Sequence, residues 1–158
     1  VVHVFGNRGA SGIDGIVSTA FGVAAASAGP TVCVLGDVAL FHDLNGLLWS
    51  REQDLSVVFV LIDNDGGGIF HMLPVREHEP HFSRYFATPH GLDFGLAAEM
   101  HGMPLFDVDP QNVSDEVKSA VDVGRTSILR IRSDRTANQR RHSEVAEAVA
   151  HQVRAALE

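Results

Sequence analysis

Two stretches decide the fold of this chain, TVCVLGDV at residues 31–38 and SVVFVLIDNDGGGIF at residues 56–70. Each begins as an apolar run typical of a β-strand, and each then reaches an oxygen-bearing side chain, Asp37 in the first and Asn64 in the second. These side chains are 27 positions apart, which suits a strand, a crossover helix and a second parallel strand. Because ligands bind at the carboxyl ends of such strands, we expect Asp37 and Asn64 to share a site.

The remainder of the chain alternates β and α patterns in the same way. Further strands are predicted at residues 1–5, 104–108 and 126–132, and helices at 13–28, 40–51, 93–101, 113–123 and 138–157. This alternation predicts an α/β fold in one domain over residues 1–158, a doubly wound, mostly parallel sheet of about five or six strands with helices on both faces. Between residues 70 and 90 the periodicity fails, which predicts a long loop that either serves as a lid or binding loop or merely connects.

Composition and charge argue against several classes of function. The formal net charge of −8 disfavours binding to nucleic acid, which relies on clustered Lys and Arg. No apolar run approaches the length of a membrane span. The single cysteine, Cys33, is predicted to be a small apolar strand residue, and the absence of a disulfide framework fits a reducing compartment. We therefore expect a soluble, cytoplasmic protein. The chain opens at Val1 inside a β-like run, so we also expect it to be a fragment of a longer subunit.

Asp37 and Asn64 offer the kinds of oxygen ligand that Mg²⁺ prefers, and protein-bound Mg²⁺ usually also holds phosphate oxygens. Gly66, Gly67 and Gly68 follow after Asp65, and residues without a Cβ can bring main-chain groups against an anion and its metal. The alternative is a plain β-to-α turn in which Asp37 only caps the helix. The sequence thus predicts either a cation and phosphate site or an ordinary turn.

Two other motifs suggest binding sites, but residues within each motif disfavour that interpretation. Gly6, Gly9 and Gly12 suggest a dinucleotide fingerprint, but Arg8 stands where that motif needs its second glycine. His78 and His81 suggest zinc, but Pro80 between them breaks any helix that would present both rings to one ion. Neither site is favoured.

Read together, Gly36-Asp37-Val38 and Asn64 resemble the thiamin-diphosphate signature, which begins Gly-Asp-Gly and ends in Asn; here Val38 takes the third position. The strings NRGASGIDG at residues 7–15 and NDGGGIF at 64–70, with Leu73-Pro74, are similar to those of the 2-succinyl-5-enolpyruvyl-6-hydroxy-3-cyclohexene-1-carboxylate synthase family of menaquinone biosynthesis. The resemblance is strongest from residue 7 to 74 and implies the thiamin-diphosphate-binding fold.

The resemblance implies thiamin diphosphate as cofactor, with Mg²⁺ or Mn²⁺ held by Asp37, Asn64 and the main-chain carbonyl of Gly66. Ile13 matches the apolar residue that wedges under the cofactor and bends it. From the residues alone, a role in the core suits Ile13 equally well. The other implied cofactor contacts are Ser11, Gly12, Gly36, Val38, Gly67, Gly68 and Ile69.

The resemblance also implies contacts with substrate. Arg8 matches a residue that binds a substrate carboxylate, a task that suits its planar guanidinium, although on the residues alone it could simply pair with an acid. Ile69, Phe70 and Leu73 match an apolar wall facing the substrates. Their spacing is equally typical of a helix packed into a core.

The implied reaction of the whole enzyme is that of a transferase. It would decarboxylate 2-oxoglutarate and add the succinyl-semialdehyde carbanion equivalent to isochorismate by 1,4-addition. The chain would then be the C-terminal domain of a three-domain subunit in a homo-oligomer, and the activating glutamate would come from the N-terminal pyrimidine-binding domain, usually of a neighbouring subunit. The isolated chain is expected to be inactive.

Other functions remain open at this point. The nearest is another thiamin-diphosphate-dependent 2-oxo acid decarboxylase or an acetohydroxyacid-type synthase, which Arg8 would distinguish. A nucleotide-binding regulatory module and a domain that only makes subunit contacts are alternatives from different classes, and neither demands metal-dependent cofactor binding.

Overall fold

The structure is a computed structural model that describes residues 2–7, 12–52 and 55–157. The chain divides into two compact units, which are described separately. Unit 1 comprises the described residues of Val1–Asp63 and Gly91–Arg132, and unit 2 those of Asn64–His90 and Ser133–Glu158.

Unit 1 is built on a sheet of four parallel strands: β1 (Thr31–Gly36), β2 (Val57–Asp63), β3 (Leu105–Asp107) and β4 (Ser127–Arg132). The strand order is β1-β2-β4-β3, so the long apolar run of β2 lies in the interior of the sheet, as predicted. The predicted doubly wound parallel architecture is confirmed, with four strands in the described residues instead of five or six.

The predicted strand at residues 1–5 is wrong for its described part, because residues 2–5 form no strand. Val2 is 89% exposed and Val4 is 90% exposed. An extended segment becomes a strand only when a neighbour completes its hydrogen-bond ladder, and none of the described residues does so here. β-propensity alone was therefore a poor guide to this segment.

Four α-helices surround the sheet in unit 1: α1 (Ile16–Ala26), α2 (Asp37–His42), α3 (Phe94–Met100) and α4 (Val113–Val123). A 3₁₀ helix over Leu44–Arg51 follows α2, so the single helix predicted at 40–51 is wrong. The break falls at Asp43, whose carboxylate accepts hydrogen bonds from the N–H groups of Val17 and Ser18 at 2.7 and 3.1 Å. Asp43 therefore caps free N–H groups at the start of α1 and does not continue α2.

The two faces of the sheet carry separate apolar clusters, because successive side chains of a strand point to opposite faces. Phe59 of β2 packs on one face with Phe21 of α1 and Phe94 of α3. Val58 and Val60 pack on the other face against the apolar side of α4. Burying one such side chain contributes about 1.5–3 kcal/mol, so these clusters hold unit 1 together.

Cys33 of β1 packs partly buried against the first cluster. Burial raises the pKa of its thiol to about 11. The thiol therefore stays protonated at neutral pH, in line with the predicted apolar role.

Unit 2 contains the long helix α5 (Arg135–Leu157) and three short helical turns, at Gly68–Met72, Pro74–Glu77 and Ser83–Ala87. The predicted loop at residues 70–90 is thus irregular, as expected, but rich in short turns. Among the described residues of unit 2, the buried apolar side chains are Phe82 and Ala87. Phe82 stacks on Phe86 with ring centroids 6.2 Å apart. No helix in the described part of the chain has the length and apolarity that crossing a membrane requires.

Candidate functional site

Asp37 lies where β1 ends and α2 begins. Gly36 occupies the position that precedes the helix, and Asp37 is the first helical residue, only 2% exposed. Its Oδ1 accepts the N–H of Val38 at 2.7 Å. The carboxylate therefore accepts one of the free N–H groups at the start of α2, as in a helix cap, and it does so while buried at the end of the strand.

A second carboxylate lies beside Asp37. Asp63 is the last residue of β2 and is 8% exposed. The parallel register pairs Gly36 with Ile62, which brings the carboxyl ends of the two strands to one edge of the sheet. Oxygen atoms of Asp37 and Asp63 lie within 4.8 Å of each other. Two buried carboxylates this close fit a hard divalent cation, which neutralises the charge that burial makes costly.

Arg130 of β4 provides a buried positive charge on the same side of the sheet. It is 6% exposed and donates from Nε and Nη2 to the two carboxylate oxygens of Asp107, at 2.6 and 2.9 Å. Its Nη1 also lies 4.0 Å from Asp63 and 3.8 Å from Asp93. The hydrogen bond from Arg130 holds the pKa of Asp107 below its usual value. Arg130 therefore links Asp63 to the neighbouring strand β3 and to the start of α3.

Strand periodicity explains why Asp63 and Arg130 lie on the same face of the sheet. Phe59 and Leu61 of β2 face the cluster that contains α1 and α3, so Asp63 at the next odd position faces the same way. Arg130 follows Ile128 by two positions and shares that face. The parallel register also pairs Asp107 with Arg130 across β3 and β4.

Sequence reasoning missed both Asp63 and Arg130. The available signal was a charged residue that directly follows apolar strand residues, VVFVLID for Asp63 and SILR for Arg130. Charged residues are almost never fully buried without a partner, so such a position in an interior strand indicates a buried ion pair or a site.

In unit 2, the three glycines after Asn64 lie in crowded surroundings. A Cβ at Gly68 would lie 2.5 Å from Nδ2 of Asn64. A Cβ at Gly66 or Gly67 would collide with main-chain carbonyl oxygens of the 86–88 segment. The N–H of Gly67 donates to the carbonyl of Ala87 at 2.7 Å. Close packing therefore explains why these positions need glycine, and their predicted contact with an anion remains a prediction.

Asp65 fixes the path of the chain just before Gly66. It adopts a left-handed conformation with φ of 61°, and its Oδ1 accepts the N–H of His90 at 3.0 Å. The guanidinium of Arg135 donates to the main-chain carbonyl of Asp65. Two separate segments of unit 2 thus hold the main chain where the predicted third metal ligand, the carbonyl of Gly66, follows.

The other predicted site residues divide between the units or lie outside the described residues. Arg8 and Ser11 lie outside the described residues. Gly12 and Ile13 precede α1, which begins only at Ile16, and Ile13 is 37% exposed. Val38 is the second residue of α2. Asp37 belongs to unit 1 and Asn64 to unit 2, and their sharing of one ion remains a prediction.

The predicted apolar wall lies on the surface of unit 2. Ile69 is 75% exposed, Phe70 37% and Leu73 47%. A helix packed into a core would bury these side chains, so the core alternative for the three residues is wrong. Their role as a wall facing the substrates stays a prediction.

Comparison with known proteins points to one family. The family model described as "Thiamine pyrophosphate enzyme, C-terminal TPP binding domain" matches residues 3–131. The 2-succinyl-5-enolpyruvyl-6-hydroxy-3-cyclohexene-1-carboxylate synthase of Roseiflexus sp. (strain RS-1) is 43% identical over 139 residues, which are 87% of this chain and 24% of that protein. The enzyme of that name from Salinibacter ruber is 44% identical over 146 residues, 92% of this chain and 24% of that protein. The chain spans roughly a quarter of the length of these relatives.

Solved structures agree on the fold. Benzoylformate decarboxylase from Polynucleobacter necessarius superimposes with a TM-score of 0.62 at 19% identity, over 78% of this chain and 23% of that one. The thiamine diphosphate-dependent 4-hydroxybenzoylformate decarboxylase of Rhodococcus jostii RHA1 gives a TM-score of 0.61 at 20% identity, over 73% and 22%. At these identities the likeness concerns the fold alone.

Proposed function

The chain belongs to the thiamine pyrophosphate enzyme family, and we propose that it is the diphosphate- and metal-binding domain of a longer 2-succinyl-5-enolpyruvyl-6-hydroxy-3-cyclohexene-1-carboxylate synthase. The observation that carries the proposal is a carboxylate, Asp37, buried at the carboxyl end of β1 in a chain this similar to those synthases. The whole enzyme would use 2-oxoglutarate and isochorismate in menaquinone biosynthesis.

Thiamin diphosphate, when bound, supplies the electron sink for decarboxylation of a 2-oxo acid. The residues of this chain bind and orient it. Asp37, Asn64 and the carbonyl of Gly66 hold Mg²⁺ or Mn²⁺, the ions that suit such oxygen donors. The fit is supported by the buried pair of carboxylates, Asp37 and Asp63, and by the contacts that fix the chain before Gly66.

The remaining proposed contacts surround the cofactor and the substrates. Ile13 wedges under the cofactor, and Arg8 binds a substrate carboxylate. Ile69, Phe70 and Leu73 exclude water from the reacting groups, which their exposed apolar surface supports. The cofactor contacts are completed by Ser11, Gly12, Gly36, Val38, Gly67 and Gly68.

The proposal includes a partner, because the chain spans only part of the length of its relatives. An N-terminal pyrimidine-binding domain, usually of a neighbouring subunit, carries the activating glutamate in a cytoplasmic homo-oligomer. The 158-residue chain alone is therefore expected to show no turnover.

Replacement of the proposed metal ligands tests the function. In the full-length gene product, Asp37→Ala and Asn64→Ala are expected to abolish or greatly weaken Mg²⁺-dependent binding of thiamin diphosphate, because each removes an oxygen ligand. Isothermal titration calorimetry with and without Mg²⁺ measures the effect. Asp115→Ala on the exposed surface of α4 is the matched control. Wild-type affinity and metal dependence in both ligand variants would reject the proposal.

Arg8 tests the substrate assignment separately. Arg8→Ala is expected to raise KM for a carboxylate substrate with little change in cofactor affinity, at a cost of roughly 1.5–3 kcal/mol for a lost charged hydrogen bond. Steady-state kinetics with both substrates measures it. Unchanged KM values would favour a different 2-oxo acid enzyme of this family.

A further inference from the structure

We infer that Asp63 is a second acidic residue of the cation site. The inference rests on the proposed function, which assigns the metal to Asp37, Asn64 and Gly66 and gives Asp63 no task. It adds a charge to the site from a residue that precedes the proposed ligand Asn64 by one position.

Asp63 is buried at the end of β2 in unit 1. The residue is 8% exposed at the end of an interior strand, where an ionised group is costly unless its surroundings compensate its charge. Its oxygen atoms come within 4.8 Å of those of Asp37. The ladder of β2 with β4 pairs Asp63 with Arg132, which fixes the main chain that carries this side chain. Asp63 therefore adds a second negative charge beside Asp37.

Arg130 divides its charge among several carboxylates. The guanidinium makes its two short hydrogen bonds with Asp107, and its approach to Asp63 is longer, at 4.0 Å. Asp93 lies at 3.8 Å from the same nitrogen. Arg132 adds a second positive charge at 3.6 Å from Asp107, so two positive charges face three carboxylates and a negative field is left beside Asp37. This negative field favours the binding of a divalent cation.

The structure also separates this role from simple stabilisation. The short hydrogen bonds of Arg130 are made with Asp107, so a substitution of Asp63 leaves them in place. Removing the charge of Asp63 should therefore change affinity for the cation, while the hydrogen bonds of Arg130 with Asp107 are kept.

The test is Mn²⁺ titration of the full-length gene product at saturating thiamin diphosphate, with free Mn²⁺ measured by electron paramagnetic resonance. Asp63→Asn keeps the shape and removes the charge, and it is expected to weaken Mn²⁺ binding by about 10- to 100-fold, the range for groups that support metal ligands. Asp63→Glu keeps the charge and is expected to bind Mn²⁺ more tightly than Asp63→Asn. Thermal unfolding without Mn²⁺ checks that each variant is folded.

Asp93→Asn is the matched control. It removes the same charge from a carboxylate that also faces Arg130, but its side chain is 62% exposed and caps α3, a task that Asn performs equally well. Its Mn²⁺ affinity should stay within about twofold of wild type, since exposed charges are screened.

The outcomes separate the inference from the proposed function. Weak binding by Asp63→Asn with normal binding by Asp93→Asn supports the inference. Equal affinity of the Asp63→Asn and Asp63→Glu variants, or wild-type affinity in Asp63→Asn, overturns it while the proposed function stands. A wild-type protein without any Mn²⁺-dependent cofactor binding overturns the proposed function and the inference together.

Discussion

Units 1 and 2 differ in where their apolar side chains lie. Unit 1 buries Phe59, Leu61 and Ile128 completely between its sheet and helices. In unit 2 the apolar stripe of α5 is exposed to solvent, with Val145, Val149 and Val153 between 49% and 56% exposed. Unit 1 therefore has a core of its own, and the apolar surface of unit 2 is not covered by its own residues.

The same contrast extends to the candidate site. Asp37 and Asp63 lie where strands β1 and β2 of unit 1 end, whereas Gly66 and the exposed Ile69 belong to the irregular turns of unit 2. The difference teaches that the buried carboxylates of unit 1 and the exposed apolar residues of unit 2 have different structural support.

The largest expected effect comes from the core of unit 1. Phe59→Ala should lower the free energy of unfolding by about 3–5 kcal/mol, because Phe59 is fully buried and its ring packs edge-on against Phe21 at 5.6 Å. Urea unfolding followed by the fluorescence of Trp49, the single tryptophan, measures this change in unit 1.

The matched variant in unit 2 is Val149→Ala. It should change the free energy of unfolding by less than about 0.5 kcal/mol, because Val149 is 56% exposed and Ala favours a helix. A loss in Val149→Ala comparable to that in Phe59→Ala would break the contrast between the units.

The next effect concerns the buried charge of unit 1. Arg130→Met should lower the free energy of unfolding by about 3 kcal/mol, since it removes the guanidinium that lies near the buried carboxylate of Asp63. Asp107→Asn is the comparison variant and should cost at most about 1 kcal/mol, because that side chain is 59% exposed and water can replace the lost bond. Chemical denaturation measures both, and equal losses would show that the charge of Asp63 does not matter.

The smallest effect is a pH dependence that belongs to His101 of unit 1. The ring is 7% exposed, neither nitrogen has a hydrogen-bond partner among the described residues, and burial, followed by the charge of Arg51, lowers its pKa. The unfolded chain therefore takes up this proton first as pH falls through about 6.5, so stability is complete above that pH and is lost below it.

His101→Gln should therefore flatten the acid side of the stability profile. Urea midpoints measured between about pH 5 and pH 8 reveal this change, since a neutral amide binds no proton in that range. His142→Gln on the exposed surface of α5 is the control and should keep the profile of the parent chain. A parent profile without an acid decline, or one that His101→Gln leaves unaltered, would contradict the assignment.

Local patterns predicted most of unit 1. The helix at Val113–Val123 has its predicted bounds, because apolar residues at helical spacing end at Gly124, whose φ of 66° stops the helix. The predicted break in periodicity at residues 70–90 is also found, as short turns. The prediction was wrong at Asp43, where a hydrogen bond to α1 interrupts a helical pattern.

The sequence by itself determined the parallel α/β fold and Asp37 at a strand end, because strand periodicity and the residues that end a strand are local properties of the chain. Tertiary structure alone decided that Asp63, Asp93, Asp107 and Arg130 meet on one face of the sheet. These residues come from separate elements far apart in the chain, and the register between strands, which no local pattern records, brings their charges together.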